Sequence, residues 1–160
     1  MRIETPSTGV VDDLADMWVE LAADQRRHGS HLVADGNRAS IRSAIGRHVV
    51  SSRVRVAREE GRLVGFVMFT VESDSLERTV SRGLIENLYV VPDRRREGIG
   101  TKLLERAENA LEDSGVETIA LDVLAGNDSA RAFYAETGYE PHRLTVEKPI
   151  ESDTHSKGDD

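Results

Sequence analysis

Apolar positions along the chain change period several times, and the changes divide it into elements. After an extended start over residues 1–5, Pro6, Ser7 and Thr8 turn the chain, and Val10, Leu14, Met17, Trp18 and Leu21 then recur at spacings of three and four. That spacing predicts an amphipathic helix with Met17 and Trp18 in the core. A polar stretch from Arg26 to Gly36, holding His28, Ser30, His31 and Asp35, joins it to a second helical pattern at Ile41, Ala44, Ile45, His48 and Val49. The period then falls to two. Val54 and Val56 alternate with arginines, residues 59–62 make a turn, and residues 63–71 are β-branched and aromatic, which is a hairpin pattern. A third run over residues 84–91 is long enough to pair beside the hairpin, and Pro92 ends it.

Helical spacing returns at Ile99, Leu103, Leu104, Ala107, Ala110 and Leu111, with Gly115 at the expected stop. Ile119, Leu121 and Val123 alternate as a strand, Asn127 and Asp128 cap a fourth helix through Glu136, and a last strand is expected within residues 139–148. The order is strand, helix, helix, three strands, helix, strand, helix, strand. It predicts one mixed-sheet α/β domain over residues 1–150, with residues 151–160 a flexible acidic tail. Because a helix links the strands at 84–91 and 119–123, those two should run parallel, and ligands favour the open ends of such strands.

Composition narrows the partners. A net charge of -8, from 29 acidic against 21 basic residues, argues against nucleic acid, whose backbone needs a broad basic face. An anionic ligand would need a local basic patch instead. The absence of cysteine excludes a disulfide framework, a thiolate zinc site and a cysteine nucleophile. His28, His31, His48, His142 and His155 show no metal-ligand spacing, so they are expected to be satisfied or solvated, and no metal is expected. No run approaches the roughly 18 apolar residues of a membrane span, and a cytoplasmic protein with no membrane partner is the simplest expectation.

Candidate chemistry concentrates where the third strand ends, over Leu88 to Thr101. Arg94, Arg95 and Arg96 cluster there, followed by Glu97, Gly98, Ile99 and Gly100 at a helix start. Unpaired N–H groups at such a start bind phosphate oxygens, and glycines let those oxygens approach. A dinucleotide fingerprint fails because Leu103 stands where its last glycine belongs, and a P-loop fails for want of a Gly-Lys-Ser/Thr triplet.

Arg-x-x-Gly-x-Gly after a strand ending Val-x-Pro resembles motif A of the GNAT N-acetyltransferases. The resemblance continues through Leu103 and Leu104, the run from Ile119 to Val123, and Asn127 to Tyr139, which is similar to the family's N-x-x-A-x-x-[FL]-Y-x-x-x-G-[FY] segment. It implies a mixed, mostly antiparallel six- to seven-stranded sheet, its central parallel pair splayed for CoA, flanked by four helices. It further implies that the turn formed by Arg95, Arg96, Glu97, Gly98, Ile99, Gly100 and Thr101 holds the CoA pyrophosphate on backbone amides. Leu88, Tyr89 and Val90 would bond the pantetheine arm by their strand edge, and Asn127 would touch the same arm. Arg96 and Glu97 depart from the family, which often has Gly and Lys there.

Acyl transfer from a thioester to an amine needs a neutral amine, a donor to the developing oxyanion and a proton for the leaving thiolate. In the resemblance Glu86 stands where polyamine-type members carry a glutamate base, and Tyr134 stands where the hydroxyl lies near the CoA sulfur. A strand amide, at Leu88 if the strand bulges, would polarise the thioester. The expectation is an N-acetyltransferase that moves the acetyl group of acetyl-CoA to a primary amine in a ternary complex. The acceptor would be a small amine or polyamine, or a protein N-terminal amine as in ribosomal-protein-type members. The alternative is a non-catalytic acyl-CoA-binding regulatory module. Homodimers are a habit of the family, and no seam for one can be read from the sequence.

Overall fold

The computed structural model describes residues 1–150. The predicted acidic tail lies outside the described residues. Strand β1 (Arg2–Glu4) leads to helices α1 (Val11–Arg26) and α2 (Arg38–Val50), then to strands β2 (Val54–Glu59), β3 (Arg62–Val71) and β4 (Arg82–Val90). Helix α3 (Ile99–Asp113), strand β5 (Thr118–Leu121) and helix α4 (Asp128–Glu136) complete the order.

The strands form one sheet in the order β1-β2-β3-β4-β5, antiparallel except for the last pair. β3 is central, and its run Val64 to Phe69 is buried throughout because helices cover both faces. Gly65 shows how tightly α3 sits: a Cβ there would lie 2.7 Å from the Tyr89 carbonyl oxygen and 3.0 Å from Leu103. Alternation turns Phe66 and Tyr89 to the opposite face, where Tyr89 reaches Glu20 of α1. The core joins Leu14, Trp18 and Ile45 from the first helices to Leu103, Leu104 and Leu111 of α3, across the sheet.

The expected six- to seven-stranded sheet is corrected to five strands among the described residues. The missing strand is the one expected within residues 139–148. That segment has no ladder partner, and Leu144, Val146 and Ile150 are 83%, 87% and 89% exposed. Leu144 and Val146 do alternate, yet alternation stabilises a strand only where a neighbour buries one face. β4 and β5 pair in parallel as expected, but the pair lies at the edge of the sheet and not at its centre, because the strand that would have flanked β5 is missing among the described residues.

Candidate active site

Two irregularities in β4 create the site. β5 pairs with β4 only from Arg82 to Ile85, so the half of β4 from Glu86 to Val90 has no neighbour on that side. At the same point the β3–β4 register shifts, with Met68 opposite Asn87 but Phe69 opposite Ile85, and Glu86 is the extra residue of a β-bulge. The N–H of Val91 bonds to Val64 of β3, so alternation points the N–H groups of Tyr89 and Asn87 to β3 and those of Leu88 and Val90 into the cleft. Arg95 donates from Nε to the Val90 carbonyl oxygen at 2.9 Å and stacks over the Tyr89 ring.

The turn after β4 is built for an anion. Gly98 has φ of 83° and Arg96 has φ of 66°, left-handed values that turn successive amides the same way. Among the described residues no acceptor meets the N–H groups from Arg96 to Thr101, and all six lie at or before the first turn of α3. The helix dipole adds positive potential there. Arg94 is committed elsewhere, to Glu59 at 2.6 Å, so the local charge comes from Arg95 and Arg96. Bulge, open strand edge and free amides together suit a long ligand with a diphosphate at one end, and the residues therefore fit CoA.

Helix α4 closes the side of this turn. A Cβ on Gly100 would lie 3.8 Å from Cζ of Phe133. Asn127 caps α4 by accepting from the Ala130 N–H at 3.1 Å, which leaves its amide NH2 free to donate. Tyr134 packs edge-on against Phe133 and Tyr139, and burial pushes its hydroxyl up to about 12. Tyr139 donates to Glu108 of α3 at 2.7 Å, tying the end of α4 to the helix that carries the turn. The loop between α1 and α2 reaches the same region, since a Cβ on Gly126 would lie 3.0 Å from the His28 carbonyl oxygen.

Leu88 and Val90 stand on the open edge of β4, Arg95 is tied to it through the Val90 carbonyl, Asn127 caps α4, and Tyr134 lies on α4 next to Phe133, which approaches Gly100 of the turn. The Tyr89 side chain turns to α1 instead: its hydroxyl donates to Glu20 at 3.1 Å, and burial, reinforced by that carboxylate, pushes it up to about 12. Sequence reasoning missed a partner of Glu86. Nε2 of His48, on α2, lies 2.7 Å from Glu86 Oε1. Nothing in the sequence relates positions 48 and 86; the one available signal was the place of His48 in the apolar pattern of α2. Among the described residues no three His, Asp or Glu side chains cluster as a metal site, and no helix is long and apolar enough to cross a membrane.

Comparison with known proteins agrees with this geometry. Residues 15–139 match the model of the acetyltransferase (GNAT) family. An uncharacterized N-acetyltransferase of Bacillus subtilis, YhfO, is 30% identical over 107 residues, covering 66% of this chain and 68% of that one. The [ribosomal protein bS18]-alanine N-acetyltransferase of Escherichia coli is 33% identical over 81 residues, about half of each chain (51% and 50%). Among solved structures, a mutant BH1408 protein of Bacillus halodurans superposes with a TM-score of 0.82 at 22% identity, over 94% of this chain and all (100%) of the other. The PaiA N-acetyltransferase of Thermoplasma acidophilum, solved with coenzyme A, gives 0.76 at 18% identity over 90% and 92%. The chain belongs to the GNAT family, and it is an acetyl-CoA-dependent acetyltransferase.

Proposed function

We propose that the protein acetylates a primary amine that arrives as a cation, with Glu86 as the base, Leu88 as the oxyanion donor and Tyr134 as the acid. The observation that carries this reading is the bulge that sets Glu86 beside the opening between β4 and β5. Acetyl-CoA supplies an acetyl group already activated as a thioester. The amides from Arg96 to Thr101 hold its diphosphate, and the Leu88 and Val90 edge with Asn127 orients its arm. The Leu88 N–H then faces the position where the carbonyl oxygen gains charge. Glu86 takes one proton from the ammonium, and the freed amine bonds to the thioester carbon as the C–S bond breaks. The Tyr134 hydroxyl, kept protonated by its burial, gives its proton to the leaving sulfur and is restored by the second nitrogen proton.

The Glu86 carboxylate, on a chain of net charge -8, favours a cationic acceptor. Polyamines and the α-amine of a protein N terminus share that chemistry. Likeness to the bS18-alanine enzyme supports including the second. The test is thiol release from acetyl-CoA over a panel of spermidine, simple diamines and alanine-terminated peptides. Release with at least one amine, falling by about 10²- to 10⁴-fold in Glu86→Gln, is expected for loss of a general base. CoA binding without release on any amine would overturn the reading in favour of a non-catalytic binding module.

A further inference from the structure

His48 is gripped from both sides of its ring. Nδ1 lies 2.8 Å from the carbonyl oxygen of Ala44, one turn earlier in α2, and Nε2 lies 2.7 Å from Glu86 Oε1. A carbonyl and an ionised carboxylate only accept. A neutral imidazole has a single N–H, so it satisfies one of them and turns a lone pair on the other. Two acceptors on two nitrogens favour the imidazolium. The side chain is 20% exposed, against 37% for Glu86, so water weakens this pair less than it does an open surface pair.

A lone carboxylate, near pKa ~4.3, is a poor base for an alkylammonium near ~10.4. Joining it to an imidazole changes what the site can hold. Here we propose that His48 and Glu86 form one proton-accepting unit, in which Glu86 meets the acceptor amine and His48 stores the proton. This rests on the reading of Glu86 given above. In the receptive form the ring is neutral, with Nδ1–H donating to Ala44 and the Nε2 lone pair facing Glu86. The ammonium N–H bond breaks and leaves its electron pair on the amine. Glu86 takes that proton and delivers one to Nε2, where a new N–H bond forms. The carboxylate ends ionised, and the positive charge has moved from substrate to imidazolium. His48 acts through Glu86 and is therefore a positioning residue.

The pair also predicts a pH dependence. Glu86 from β4 and the Ala44 carbonyl favour the charged ring, while burial and Arg47, its neighbour on α2, oppose it; the hydrogen bond to Glu86 dominates, and the His48 pKa is raised above the ordinary value. Only the neutral ring receives a proton, so kcat/KM rises with pH through the His48 titration.

The experiment pairs pH–rate profiles with ¹⁵N NMR of the imidazole nitrogens. Thiol release is followed with the amine that supports turnover in the wild type, together with His48→Gln and Glu86→Gln. Glutamine keeps a donor toward Glu86 but does not titrate. Expected are a loss of about tenfold or more at the plateau in His48→Gln with its ascending limb abolished, and a lower His48 midpoint by NMR in Glu86→Gln. If His48→Gln keeps the wild-type limb and rate while Glu86→Gln is inactive, the relay is overturned and the Glu86 base stands. A fully active Glu86→Gln overturns both. The NMR titration of the wild type needs no variant to fold: a ring that titrates no higher than a free histidine contradicts the pairing.

Discussion

Tyr134 combines a ring held by Phe133 and Tyr139 with a hydroxyl that makes no hydrogen bond among the described residues and is not sealed from solvent. Such a hydroxyl adds little to folding and is free for chemistry. Tyr134→Phe should therefore lower kcat by about 10²-fold or more, with acetyl-CoA affinity by calorimetry nearly unchanged; unaltered turnover would remove Tyr134 from the acid role. His48 carries a separate prediction about stability. Its pKa is raised on folding, so its contribution is fully present below the unfolded value of about 6.5 and is lost as pH rises through the folded one. In urea unfolding, wild type should exceed His48→Gln by a margin that shrinks as pH rises. Glu86, Leu88, Tyr134 and the glycine turn could be proposed from sequence because each lies in or beside a stretch that resembles a motif of the family. The His48 contact spans 38 residues and depends on how α2 lies over the sheet, which no local pattern encodes.

Apart from the strand expected within residues 139–148, each element formed close to where its period placed it, because burial supplied what periodicity requires. In α3 the residues at helical spacing, Ile99, Leu103, Leu104, Ala107 and Leu111, are the buried ones. β4 begins two residues earlier than residue 84, since pairing with β3 and β5 extends it through Gly83 to Arg82. The bulge at Glu86 was not legible: a register shift comes from two strands together. Asn127 is a junction between elements, capping α4 at the cleft edge. Asn127→Ala should cost about 1 kcal/mol in thermal or urea unfolding, whereas Asn127→Asp should retain the cap while replacing the NH2 donor with a negatively charged acceptor oxygen. A weaker affinity for CoA in Asn127→Asp at unchanged stability would separate the two uses; unchanged affinity would leave Asn127 a cap alone.

For the whole molecule, the α/β/α arrangement leaves residues 140–150 on the outside of a core that is complete without them. They add one visible tie, Glu147 to His31 at 2.9 Å, between two exposed side chains. Exposed pairs of this kind contribute about 0–1 kcal/mol. Truncation after His142 should thus shift unfolding stability by no more than about 1 kcal/mol; a larger loss in urea denaturation would mean that the segment carries load in solution. The acidic surface coexists with an anion site because many arginines are held by carboxylates, such as Arg42 by Asp12 and Arg62 by Asp93, while Arg95 and Arg96 are left at the turn. Overall charge therefore argues against a broad basic binding face but not against a small, local site built largely from backbone.

The most direct test of the central claim is a crystal structure of the protein with CoA. The diphosphate should lie on the amides from Arg96 to Thr101, with the arm running along Leu88 and Val90 between the parted strands and the sulfur ending near Glu86 and the Tyr134 hydroxyl. A diphosphate seated elsewhere, or a sulfur directed away from the bulge, would contradict it.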